Sequence, residues 1–349
     1  MKNLALIILT MTGLIGCTQK PKSESNSEAH ATEQKEFKPH VKVLKEEGHN
    51  LISEEAEVEV IAEGFNWTEG PVYVADGDYL LFSDVPENKV HKWKEGEGVS
   101  EFLNPAGYTG AMKSEKKSGS NGLTLSNDGK LVLCQQGDRR IGVLQTSLNE
   151  PEPVYATLFD SYQGKRFNSP NDLIFNENGD LYITDPTYGL DFNLRMGLDD
   201  PARELDIQGV YQCTANGEVN LISDKLKFPN GIALSPDEKT LYVAQSDPEN
   251  IIWMAYELDE NGLAQSERIF YDANDYQGVN KGLPDGMKVA STGYIYATGP
   301  EGVWIFNPKG EVLAKVFTGQ HTANCALSTD EKYLYICADD YIMRVRLKG

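Results

Sequence analysis

Asn171-Asp172-Leu173-Ile174-Phe175, a turn at Asn178-Gly179, then Leu181-Tyr182-Ile183-Thr184-Asp185: this stretch decides the fold. Two runs of alternating apolar residues flank a turn dipeptide, so each run is a strand and the pair is a hairpin. The unit recurs along the chain. It returns as Glu69-Gly70-Pro71-Val72-Tyr73 with Asp76-Gly77, and as Asn121-Gly122-Leu123-Thr124-Leu125 with Asp128-Gly129. It returns again as Asn230-Gly231-Ile232-Ala233-Leu234, Asp285-Gly286-Met287-Lys288-Val289 and Asn324-Cys325-Ala326-Leu327. Successive units start 39 to 59 residues apart, enough for about four short strands each. An all-strand repeat of that length is a propeller blade, and six of them predict an all-β, six-bladed β-propeller. The last unit leaves room for only three strands before the chain ends. The missing outer strand is expected from Glu57–Ala62, where Val58, Val60 and Ala62 alternate, closing the ring and removing its open edges.

The propeller is expected to occupy 56–349. Before it, Met1–Gly16 carries Lys2 and an apolar run too short to span a bilayer, which reads as a secretory signal. The run ends in Leu14-Ile15-Gly16-Cys17, which resembles the lipobox of bacterial lipoproteins. The expectation is therefore a signal peptide over 1–16, lipid on Cys17, and a flexible polar tether over 17–55. The protein would sit in the bacterial cell envelope, held to the membrane only through that lipid and facing periplasm or exterior. His30, His40 and His49 fall in the expected tether, too widely spaced for a metal tract. Cys134, Cys213, Cys325 and Cys337 lack metal-type spacing and read as buried free thiols.

Composition narrows the partners. With 32 Lys and Arg against 53 Asp and Glu, the net charge is −21. A surface so acidic excludes phosphate-backbone binding and docking on anionic lipid, and suits small soluble substrates and cations. The expected form is a monomer acting on a small molecule.

In a propeller the first strand of each blade lines the central channel. The residues that open those strands are Glu69, Asn121, Asn171, Asn230, Asp285 and Asn324, all oxygen-bearing. Carboxylate and amide oxygens without His or Cys are the donor set of a hard cation, Ca2+ ahead of Zn2+, with Mg2+ allowed if waters stay bound. Taken singly, each Asn-Gly or Asp-Gly is equally a turn dipeptide. Three of the six share a preceding proline, Pro170, Pro229 and Pro284, a rigid approach that turn chemistry alone does not require.

The run Gly164-Lys165-Arg166-Phe167-Asn168-Ser169-Pro170-Asn171-Asp172-Leu173 with Thr184-Asp185-Pro186-Thr187-Tyr188-Gly189 resembles bacterial gluconolactonases. So do Asn121-Gly122-Leu123, Gly137-Asp138-Arg139-Arg140 and Phe228-Pro229-Asn230-Gly231. The family is that of senescence marker protein, gluconolactonase and luciferin-regenerating enzyme, and the similarity runs from about Glu57 to the C terminus. The resemblance implies a metal-dependent sugar-lactone hydrolase with one divalent cation, Ca2+ ahead of Mg2+ or Zn2+. It implies Glu69, Asn230 and Asp285 as ligands, Asn171 as ligand or substrate contact, and Asp285 as general base. Where animal members carry an Arg, Ser169 stands here. Asn121, Gln136, Arg139 and Tyr188, with Gln135 and Arg140 nearby, are the candidate contacts to sugar hydroxyls. For Arg139 and Arg140 a salt bridge with Asp138 is the alternative, and His321 lies within reach of the mouth.

Two other functions fit a propeller with an oxygen ring. One is a phosphotriesterase of the diisopropylfluorophosphatase type. The other is a non-catalytic propeller, pinned by Ca2+, that binds a glycan or a protein. Serine-nucleophile, zinc-hydrolase and nucleotide chemistry lack their motifs: no Gly-x-Ser-x-Gly, no His-Glu-x-x-His and no phosphate loop is present.

Overall fold

The computed structural model describes residues 37–110, 116–278 and 281–348. The signal peptide, Cys17 and His30 lie outside them. Six antiparallel sheets of four or five strands form the blades of a β-propeller. In chain order the innermost strands are Thr68–Val74, Ser120–Leu125, Leu173–Phe175, Pro229–Leu234, Met287–Val289 and Thr322–Leu327. They open blades 1 to 6.

The sixth blade takes Thr322–Leu327, Tyr333–Ala338 and Tyr341–Arg346 from the C-terminal end and Val58–Glu63 from the N-terminal end. Val58 pairs with Val345 and Glu59 with Arg344. Two ends of the chain therefore share one sheet.

The apolar core is divided rather than central. Six clusters of buried side chains lie one between each pair of neighbouring blades. Leu81 and Leu133 fill the space between blades 1 and 2, while Leu80, Phe82 and Ile342 fill that between blades 6 and 1. Each buried Leu, Ile or Phe contributes about 1.5–3 kcal/mol, and because the clusters form a ring no blade can leave without opening two of them. Neighbouring blades cover both faces of the inner part of each sheet, which is why second strands such as Leu181–Asp185 are buried at every position, while outer strands such as Ala264–Asp272 are largely exposed. The four cysteines Cys134, Cys213, Cys325 and Cys337 are buried and free.

One boundary moves. The segment 37–55, expected as tether, belongs to the propeller. His40–Val43 is a fifth strand on blade 5, pairing with Val312–Phe317. Val41 and Ile52 are buried in the cluster between blades 5 and 6. The alternation in His40-Val41-Lys42-Val43 is too short to register against the polar stretch around it. His40 stacks on Phe317 at 4.8 Å, and the His49 carbonyl accepts a bond from Lys348 Nζ.

Candidate metal centre

The ring residues are aimed by β-bulges. Pairing between first and second strands slips between Glu69 and Val72, Ser120 and Leu123, Pro229 and Ile232, and Thr322 and Asn324. A bulge turns extra residues out of the ladder; in blades 2 and 4 these include Asn121 and Asn230, whereas Glu69 and Asn324 stay paired beside the slip, with Ser83 and Cys337. In blades 3 and 5 the regular inner strand starts only after the ring residue.

Where a glycine follows the ring residue, at Gly70, Gly122, Gly231 and Gly286, it answers to close approach, not to a turn. A Cβ on Gly231 would stand 2.1 Å from the Asp285 carbonyl oxygen, and one on Gly286 1.9 Å from the Asn324 side chain. Gly122 sits so near blade 3 that its N–H donates to Asn171 O at 2.7 Å. Neighbouring inner strands converge at this end, and only a residue without a side chain fits between them.

Second-strand hydroxyls complete the closure. Ser83 Oγ donates to Asn121 O at 2.9 Å, Thr184 Oγ1 to Asn230 O at 2.6 Å, and Thr298 Oγ1 to Ala323 O at 3.0 Å. Asp84 and Asp185, next to two of them, accept the backbone N–H groups of Asn66 and Trp67, and of Asn168 and Ser169. They fix the loops that lead to Glu69 and Asn171. Sequence reading assigned none of these a role, although the recurring Ser-Asp and Thr-Asp pairs at second-strand ends were visible.

Glu69, Asn121, Asn171, Asn230 and Asp285 line one cavity of about 830 Å3 at the channel mouth. Asn121 Oδ1, Asn171 Oδ1, Asn230 Oδ1 and Asp285 Oδ1 are buried and accept no hydrogen bond. The orientation of Asn230 is enforced: its Nδ2 donates to Ser246 Oγ at 2.9 Å, which leaves the oxygen for the channel. Unpaired buried acceptors cost about 1–3 kcal/mol each, so four on one cavity wall mark a place built for a positive partner.

The sixth ring position behaves differently. Asn324 spends its Oδ1 on the Cys325 N–H and donates its Nδ2 to Glu69 Oε2 at 3.1 Å. It supports Glu69, which also accepts the Gly70 N–H at 2.9 Å. A third acid, missed in the sequence, lies behind the ring: Asp172 is buried, with Oδ1 on the Leu173 N–H and Oδ2 without a partner.

The electrostatics point the same way. Burial, reinforced by Asp172, pushes Glu69 up to about 7 despite its two hydrogen bonds. Asp285 is held well above the carboxylate range by burial and then by the charges of Glu69 and Asp172. Carboxyl groups this close resist ionising together unless a cation joins them. Among the described residues no group of three His, Cys, Asp or Glu side chains stands at metal-ligand spacing. The donor set here is two carboxylates and three amides, which fits a hard divalent cation and not a thiolate- or imidazole-seeking one.

The remaining candidates divide. Gln136 lines the cavity, with Oε1 accepting from Ser118 Oγ at 3.0 Å and Nε2 without a partner. Tyr188 lines it too, but its hydroxyl donates to Ser246 O and its ring stacks on Phe228, so it is wall. Arg139 does not line the main cavity. It is buried and donates to Phe167 O and Asn168 O, ahead of the first strand of blade 3, and to Ala202 O, in the loop between its second and third strands, fastening the two segments together. Arg140 pairs with Asp138 and bonds Gln135, so those two are structural. Ser169 bonds Pro186 O and the Gly189 N–H, a staple within blade 3. His321 is exposed on the cavity rim.

The family model described as the SMP-30/Gluconolactonase/LRE-like region matches residues 67–339. A gluconolactonase of Zymomonas mobilis is 40% identical over 299 residues, covering 83% of this chain and 81% of that protein. The lactonohydrolase oryL of Aspergillus oryzae is 27% identical over 215 residues, covering 55% and 48%. The solved structure of a gluconolactonase from Xanthomonas campestris superposes with a TM-score of 0.74 at 26% identity, covering 89% of this chain and 95% of that one. With blades, oxygen ring and sequence in agreement, the chain belongs to the SMP-30/gluconolactonase/LRE-like family.

Proposed function

We propose that this protein is a lactone hydrolase that opens a sugar lactone with water, using one divalent cation, Ca2+ first among the candidates. The observation that carries the reading is the set of four unpartnered buried oxygens around two carboxylates at the mouth of a substrate-sized cavity. The family and the gluconolactonase relative supply the reaction class. Glu69, Asn171, Asn230 and Asp285 would hold the ion. Bound there, it would act as a Lewis acid on the lactone carbonyl.

The chain's own residues do the rest. Asp285 accepts a proton from the attacking water. The water oxygen bonds to the carbonyl carbon, the ring C–O bond breaks, and the proton passes to the departing ring oxygen. Asn324 and the Gly70 N–H hold Glu69 in place during the step. Asn121 faces sugar hydroxyls. A phenol beside the base would compete for its proton, but burial and then the Asp285 charge keep Tyr188 protonated.

The test is acid release from glucono-1,5-lactone by purified protein, with Ca2+ and after chelation. Activity that disappears with the chelator and returns with Ca2+ supports the reading. No hydrolysis of any of several sugar lactones by Ca2+-loaded protein refutes it.

We further propose lipid attachment at Cys17 and a place in the cell envelope. The support is the apolar run that ends at Gly16-Cys17.

A further inference from the structure

The space above the ring is larger than one sugar requires. The main cavity, about 830 Å3, is near the top of the ~300–1,000 Å3 range of small-molecule sites. A side chamber of about 650 Å3 adjoins it. Lys116, Gln136 and Phe192 line both, so the two spaces share a wall. We propose that the side chamber binds a second sugar unit, and that the substrate is a glycosylated lactone, the oxidised reducing end of a disaccharide. This rests on the lactone-hydrolase reading and extends it to the substrate class.

Position comes first. Gln136 and Gly137 follow the second strand of blade 2, Leu131–Gln135, while Asn121 opens the first strand of that blade. The chamber therefore opens on the sector of the ring that holds Asn121 and Asn171. A lactone with its carbonyl at the ring would direct a substituent on its far side into this space.

The chamber is also built in advance. Arg139 Nη1 donates to Ala202 O at 2.6 Å, the Asp191 N–H to Asp200 Oδ2 at 2.7 Å, and Thr187 Oγ1 to Met196 O at 2.7 Å. These bonds hold the wall without a ligand.

Chemistry then selects the occupant. Gln136, 3% exposed, has a donor nitrogen with no acceptor at the junction, and Arg139, 6% exposed, has a second one, Nη2. An apolar substituent would leave both unpaired, whereas sugar oxygens accept from them. The exposed ring of Phe192 offers a flat apolar face to the C–H side of a pyranose.

The experiment compares kcat/KM for glucono-1,5-lactone and for the cellobiono-, maltobiono- and lactobiono-1,5-lactones with Ca2+-loaded protein. At least one disaccharide lactone is expected to exceed gluconolactone tenfold or more. Ala202→Trp, at an exposed position in the chamber wall, should remove that advantage and leave gluconolactone hydrolysis unchanged. Asn193→Trp, also exposed there, provides a second block should the first misfold. All three disaccharide lactones at or below gluconolactone, or loss of both activities in equal proportion in folded variants, overturns the subsite. No hydrolysis of any lactone overturns the lactone reading itself, and the subsite with it.

Discussion

Replacing Glu69 by Gln separates the charge of the site from its shape. In the metal-free protein this carboxyl is buried and raised from an ordinary 4.5 to about 7, with desolvation the largest cause. In that window the folded state holds a proton that the unfolded chain has released. The contribution of Glu69 to the stability of the metal-free wild type therefore falls as pH rises from about 4.5 to about 7. For a side chain only 2% exposed, holding that proton is worth ~3 kcal/mol. Gln keeps an oxygen for the Gly70 N–H and the Asn324 amide but cannot ionise. At pH 8 and without metal, Glu69→Gln should be the more stable protein. At about 2.1 cal/mol/K of unfolding entropy per residue, ~3 kcal/mol is worth about 5 °C in a propeller of this size. At pH 4.5 the two should melt together. Adding Ca2+ should reverse the order at pH 8, because the ion stabilises the wild type by mass action and meets one charge fewer in the variant. The assay is calorimetry of both proteins at pH 4.5 and pH 8, with chelator and with Ca2+. A metal-free variant that melts below wild type at pH 8, or a Ca2+ shift equal in both, would refute the reasoning.

Asp285→Asn, saturated with Ca2+, should bind the ion yet lose about 10²–10⁴-fold in kcat, since the amide cannot take a proton; recovery of full rate in the metal-loaded variant removes Asp285 as base. Gly231→Ala should destabilise the fold by at least ~1–3 kcal/mol, because its Cβ would meet the Asp285 carbonyl oxygen at 2.1 Å; a melting temperature like wild type would show that blades 4 and 5 can separate. Cys17→Ala should move the protein from the membrane pellet to the soluble exported fraction, and a variant still in the pellet would exclude lipid on this cysteine.

Sequence alone determined what is local or repeated. Two-residue alternation and turn dipeptides recur six times, and from them follow the blades, the closing strand near Glu57–Ala62 and the ring positions from Glu69 to Asn324. Those signals lie within about a dozen residues of each other, so they survive without knowledge of the fold. What the tertiary structure decided lies between blades, where partners stand 25 to 255 residues apart. Asn324 and Glu69 meet across the seam where the chain's two ends join, and that meeting turns a ring amide from ligand to support. Arg139 reaches Phe167 and Ala202, so an arginine that reads as a contact to the sugar at the ring becomes a clamp outside the main cavity. Val41 and Ile52 find apolar neighbours only once blades 5 and 6 are side by side, which is why a short strand in a polar stretch read as tether. A side chain's periodicity tells which face it occupies, whereas its hydrogen-bond partner depends on what the neighbouring blade brings to that face. In a propeller that neighbour is always a different part of the chain.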